Sequence, residues 1–121
     1  MKRVKRIALF FILLGVMPSA WCGLENSSPE QRAQLQTAYM KEALSLDAQT
    51  LSKVQGINLK YAKIAEPVLK GDDNMFKKRS KMHDIMDAKD QELKGVLSGS
   101  QFELYDSKKE ELKSYLDSHL P

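Results

Sequence analysis

Cysteine is almost missing from this chain: Cys22 is the only one among 121 residues. A lone thiol excludes an intrachain disulfide framework and every metal site built from paired Cys-x-x-Cys units. Histidine is nearly as scarce, with only His83 and His119, so no HxxxH or HExxH pattern occurs. Aromatic residues amount to 7%, with a single tryptophan, Trp21. No glycine-rich loop is present to cradle a phosphate, and no nucleophile elbow. No stretch alternates apolar and polar residues for long enough to suggest a strand. The longest apolar run, Ile7 to Val16, is broken only by Gly15 and is about half of the roughly 20 residues that span a bilayer. These absences point away from catalysis: no catalytic residue and no cofactor is expected.

What is present begins with that short apolar run. Lys2, Arg3, Lys5 and Arg6 precede it, Pro18 follows it, and Ala20-Trp21-Cys22 supplies the small residues of a cleavage site. Residues 1–22 are therefore predicted to be a signal peptide, and 23–121 a single helical domain of 99 residues. An uncleaved anchor is disfavoured by length, and lipid attachment at Cys22 by the bulk of Trp21. Four of the 19 basic residues lie in the leader, which leaves 15 against 16 acidic ones. A mature chain so close to neutral is not a nucleic-acid binder on charge grounds. The expected destination is the periplasm or the exterior, and with Cys22 gone stability must come from packing. A thin helical layer of this size gains from self-association, so a homodimer is expected.

Helix starts are the strongest local signals. In Leu97-Ser98-Gly99-Ser100-Gln101-Phe102, Ser98 can cap a helix, Gln101 can reach back to it, and Leu97 can touch Phe102 as a staple. A looser version has Asp47 as cap with Leu46 and Leu51 as staple. Ser28-Pro29-Glu30-Gln31 is a third start, with proline at the first helical position. The first helix should run to about Ala43. The second should follow Asp47, with Leu51, Val54, Ile57, Tyr61, Ile64 and Val68 as its apolar stripe and a kink or end at Pro67. Gly56 inside it is expected to cost near 1 kcal/mol if exposed, or to allow a close helix approach. Gly71 stops the chain, and Asp72 or Asp73 should cap the third helix, with Met75, Phe76, Met82, Met86, Leu93 and Val96 on one side. The fourth should carry Phe102, Tyr105, Leu112, Leu116 and Leu120. The fold class is all-α: about four amphipathic helices in an antiparallel, hairpin-like arrangement.

The segments Val54-Gln55-Gly56-Ile57-Asn58-Leu59-Lys60-Tyr61-Ala62, Lys89-Asp90-Gln91-Glu92-Leu93 and Leu97 to Tyr105 together resemble the LTxxQ-motif family of small periplasmic helical proteins, the Spy and CpxP type. The resemblance covers about residues 44–115. Its second motif has Ser98 for threonine and Gln101 in place; its first has Asp47 for threonine and Thr50 for glutamine. The resemblance implies a curved antiparallel dimer whose concave face, apolar and basic together, holds unfolded envelope proteins without ATP. It also implies two alternatives, an envelope-stress regulator docking on a membrane sensor and a metal-responsive sensor protein.

The residues that would bind clients are Met75, Phe76, Lys77, Lys78, Arg79, Lys81, Met82 and Met86. Methionines are flexible and polarizable, and the adjacent cations would steer acidic client segments. The other reading buries the methionines as core and leaves the basic turn as a solvated face, balanced by Asp84, Asp87 and Asp90. His83 and Asp87, four apart with Asp84 adjacent, are weak metal candidates, since a closed site needs three or four ligands. No metal is expected. His119 suits the negative end of the last helix.

Overall fold

The computed structural model describes residues 26–120, all-helical with no strand among them. The predicted leader, Cys22 and the proposed cleavage site lie outside the described residues. Five helices follow one another: α1 (Pro29–Leu44), α2 (Ala48–Lys70), α3 (Met75–Val96), α4 (Gly99–Ser107) and α5 (Lys109–His119). The last two divide what the apolar spacing presents as one helix, because the chain bends at Lys108, whose φ of −102° and ψ of 11° lie in the sparsely allowed bridge region.

The starts of the first four helices are set by side chains that satisfy orphan backbone donors. Ser28 Oγ accepts from Gln31 N at 3.0 Å while Gln31 Oε1 accepts from Ser28 N at 2.8 Å. Asp47 Oδ1 accepts from Thr50 N at 2.7 Å. At α4, Ser98 Oγ and Gln101 Oε1 make the same reciprocal pair at 3.1 and 3.0 Å. The α3 cap differs from the sequence expectation. It is Asn74, accepting from Lys77 N at 2.9 Å, while Asp73 turns aside to pair with Lys81 at 2.6 Å. Helix α5 has no side-chain cap, and Glu110 and Glu111 in its first turn face the positive end of its dipole instead.

Pro67 does not end α2, which runs on to Lys70. The proline is solvent-exposed one turn from the helix end, and its missing amide costs α2 the hydrogen bond to the Lys63 carbonyl. Gly71 then closes the helix. A β-carbon there would lie 2.8 Å from the Pro67 carbonyl oxygen, so only glycine fits the turn. Gly56 has no such constraint: it is exposed, with nothing within 4 Å of where a β-carbon would sit, and it admits no close helix approach. Gly56→Ala should therefore stabilise the fold by about 1 kcal/mol through helix propensity and a stiffer unfolded chain. Thermal unfolding followed by circular dichroism should show a rise of several degrees; an unchanged or lower midpoint would contradict it.

Packing pairs the helices in sequence and then departs from it. Helix α2 runs antiparallel to α1, as the pairings Arg32–Glu66 and Thr37–Asn58 show. It runs antiparallel to α3 as well, through Lys60–Glu92 and Lys78–Leu69. Helix α5 returns to cover α1, with Tyr39 OH donating to Glu111 Oε1 at 2.9 Å and the Tyr39 and Tyr115 rings 5.3 Å apart. His119 stacks on Tyr115 at 4.1 Å, and its Nδ1 lies 2.8 Å from the Tyr115 carbonyl. The core draws on every helix or its flanking cap: Met40, Leu44, Leu46, Val54, Leu93, Leu97, Tyr105, Leu112 and Leu116 form one buried cluster. Leu51 and Phe102 pack against it from the staple positions.

One polar pair lies inside this layer. Asn58 is fully buried on α2, its Nδ2 donating to Thr37 Oγ1 at 3.0 Å and touching Met40 Sδ at 3.6 Å. Its Oδ1 has no partner among the described residues, a deficit that costs about 1–3 kcal/mol.

Candidate functional site

Because α5 packs on α1 while α3 packs on α2, the seam between α3 and α5 stays open. A groove of about 400 Å³ occupies it. Its floor is Arg32 and Gln36 of α1 with Tyr61, Ala62, Ala65 and Leu69 of α2. One wall is the α3 face that carries Arg79, Met82, His83, Ile85, Met86 and Lys89. Opposite stand Tyr105 of α4 and, on α5, Lys109, Leu112, Lys113, Leu116 and Leu120. The surface is mainly aliphatic and thioether, and its charge is lopsided. Arg32, Arg79, Lys89, Lys109 and Lys113 contribute positive charge against Glu110 and Asp117.

Two of those cations are buried. Arg32 is 3% exposed; its guanidinium donates to the Ser27 carbonyl at 2.8 Å, the Ala62 carbonyl at 3.2 Å and Glu66 Oε1 at 2.8 Å. Lys89 is 2% exposed, and its Nζ donates to Gln36 Oε1 at 2.9 Å. Burial pushes the Lys89 ammonium down to about 8, opposed by the nearby Asp90 and reinforced by Lys109. Asp90 itself accepts from Tyr105 OH at 2.8 Å and pairs with Lys109 Nζ, which ties α3 to the α4–α5 junction. Burial raises the Tyr105 phenol, with Asp90 adding to the effect. Glu92 of α3 accepts from Lys60 and Tyr61 of α2, and the Lys60 hydrogen bond in particular holds its carboxyl below the usual range.

The candidate binding residues named from sequence separate into two groups. Arg79, Met82 and Met86 line the groove, the methionines half-buried. Met75 and Phe76 stand at the exposed start of α3, and Phe76 is 83% exposed. Lys77 is exposed nearby, Lys81 is held by Asp73, and Lys78 Nζ donates to the Leu69 carbonyl at 3.0 Å. The α3 methionines are therefore neither core nor fully free. They form one side of an open slot.

His83 Nδ1 lies 3.3 Å from Asp87 Oδ2, and Asp84 adds a third ligand atom within 4.8 Å of the others. All three side chains are exposed, His83 by 74%, and no fourth ligand joins them among the described residues. An i,i+4 side-chain contact between exposed residues accounts for the arrangement. Sequence reasoning missed Lys89, Arg32, Gln36 and the α5 wall. A signal for Lys89 existed: it falls at helical spacing with Met82, Met86 and Leu93, a lysine on an apolar stripe.

Among known proteins, no curated protein and no solved structure matches the chain. A family model described as a domain of unknown function, DUF4890, matches residues 23–105. On that match, which covers more than half of its length, the chain belongs to the DUF4890 family.

Proposed function

We propose that this is a non-enzymatic binding protein of the LTxxQ type that, after export and loss of its leader, shields unfolded envelope proteins. The observation that carries the reading is the open α3–α5 groove. Its walls are adaptable methionine and leucine side chains, and its lip carries Arg79 and Lys113, neither of them in an ion pair among the described residues. Such a slot accepts apolar side chains of varied shape while the client backbone stays in water. Exposed Met75 and Phe76 extend the adhesive surface along α3. The family match begins at residue 23, the first residue after the predicted leader, which fits a chain that works once processed. The reciprocal cap at Ser98, with Asp47 as the simpler cap at the first motif position, supports the kinship with the LTxxQ pattern.

The test is aggregation of a reduced or heat-unfolded client in the presence of the processed chain. Stoichiometric amounts should suppress light scattering at low and moderate salt, and Met82→Asp with Met86→Asp should weaken suppression at least fivefold while helicity is kept. No suppression by the parent chain would remove this reading. The regulator reading would instead be supported by one stable complex with a membrane partner and little protection of generic clients.

A further inference from the structure

We propose that the inner end of the groove binds the carboxylate of a single-chain anionic amphiphile, such as a fatty acid, with its alkyl chain laid along the α3–α5 seam. An ammonium group carries three donors, and Lys89 Nζ uses one, on the neutral oxygen of Gln36. Among the described residues no carboxylate pairs with it, although it is 2% exposed and faces the groove. A buried charge without a counter-charge is costly, and a ligand carboxylate would supply what the protein omits. Asp90, the adjacent acid in the chain, is already taken by Tyr105 and Lys109.

Away from Lys89 the seam becomes hydrocarbon, through Ala65, Leu69, Met86, Leu112 and Leu116. Its volume of about 400 Å³ lies in the range of small-molecule sites, roughly 300–1,000 Å³. A helix about 10 Å across would fill such a space within about one turn. An extended peptide fares no better. The walls are helices whose backbone groups are already bonded, so its own N–H and C=O groups must stay in water and only its side chains can reach the inner end where Lys89 lies. An alkyl chain has no such groups to satisfy. This inference stands apart from the client-binding reading, since ligand occupancy and client protection are measured separately and either can fail alone.

Calorimetry of the processed chain with straight-chain fatty acids of eight to fourteen carbons, below their micellar concentrations, tests it. Saturable 1:1 binding is expected, tightening about fourfold per added methylene until the groove is full. Each acid should bind at least tenfold more tightly than the alcohol of equal length. Lys89→Met keeps the length and removes the charge, so it should abolish that preference and leave alcohol binding intact. Ala65→Phe should fill the seam and weaken both ligands at least tenfold. Equal affinity of the parent chain for acid and alcohol would overturn the proposal, whatever the variants do. So would an acid preference that survives in folded Lys89→Met, or affinity indifferent to chain length. Displacement of the acid by an acidic amphipathic peptide that binds more tightly would assign the site to a protein partner and overturn it too.

Discussion

Replacing Arg32 with alanine should lower the unfolding free energy by about 3–5 kcal/mol, the usual cost of removing one partner from a buried charged network. Among the described residues, four acceptor atoms converge on this guanidinium, one of them the Ser27 hydroxyl. Two others are main-chain carbonyls, of Ser27 and Ala62, and the last is the Glu66 carboxylate. The truncated side chain leaves the carbonyls in a space too closed to solvate them well. Glu66 suffers less, because it keeps Lys70 at 3.1 Å and is partly exposed. Glu66→Ala takes the carboxylate from that buried guanidinium and should cost nearly as much as Arg32→Ala. A domain of this size holds roughly 5–14 kcal/mol in total, so Arg32→Ala alone should bring the chain near its threshold. Urea titration followed at 222 nm measures both variants. A loss below about 1 kcal/mol for Arg32→Ala would mean that the network is not what fastens α1 to α2.

The second large effect is a stability that rises with alkalinity. Lys89 has a folded pKa near 8 against about 10.4 unfolded. Below pH 8 both states are protonated and the burial penalty is constant. Between pH 8 and 10.4 the folded chain sheds this proton while the unfolded chain still holds it, so unfolding takes up protons and stability increases with pH. The gain should reach about 2 kcal/mol by pH 10. Above that, the tyrosines reverse the trend. Burial, with Glu111 adding to it, raises Tyr39 to about 12, and Tyr61 and Tyr105 are raised as well. The folded state then keeps protons that the unfolded state has lost, and stability falls. The urea midpoint should therefore peak between pH 9 and 10. In Lys89→Met the rising limb should vanish and the alkaline fall remain. A flat midpoint from pH 7.5 to 10 in the parent chain would show that the buried amine carries no penalty.

Helix starts and the all-α class were legible in the residues because a cap is a local device: Ser28, Asp47 and Ser98 act on donors two or three positions away. Turn chemistry was less decisive, since Asp73 and Asn74 are both good caps and the choice fell to Asn74 once Asp73 found Lys81. The division at Lys108 was hidden, as an apolar spacing from Phe102 to Leu120 tolerates a bend that keeps both pieces facing the core. The groove was half legible. Met82, Met86 and Arg79 stand out on α3, but what faces them depends on α5 crossing back to α1, and that pairing is tertiary. Buried Lys89, Arg32 and Asn58 were read past because each sits on an otherwise apolar stripe, where pattern rules expect hydrocarbon.

The bend at Lys108 determines more than the count of helices. Everything beyond it is held to the bundle by α1, so the angle set at this one residue fixes how far Leu112 and Leu116 stand from Met82 and Met86. Both sides of the slot are therefore packed rods, with Lys109 clasping Asp90 where they meet. A side chain inserted between the two walls would press on Leu112 and Leu116, which also belong to the core, so entry into the slot is felt directly by the interior.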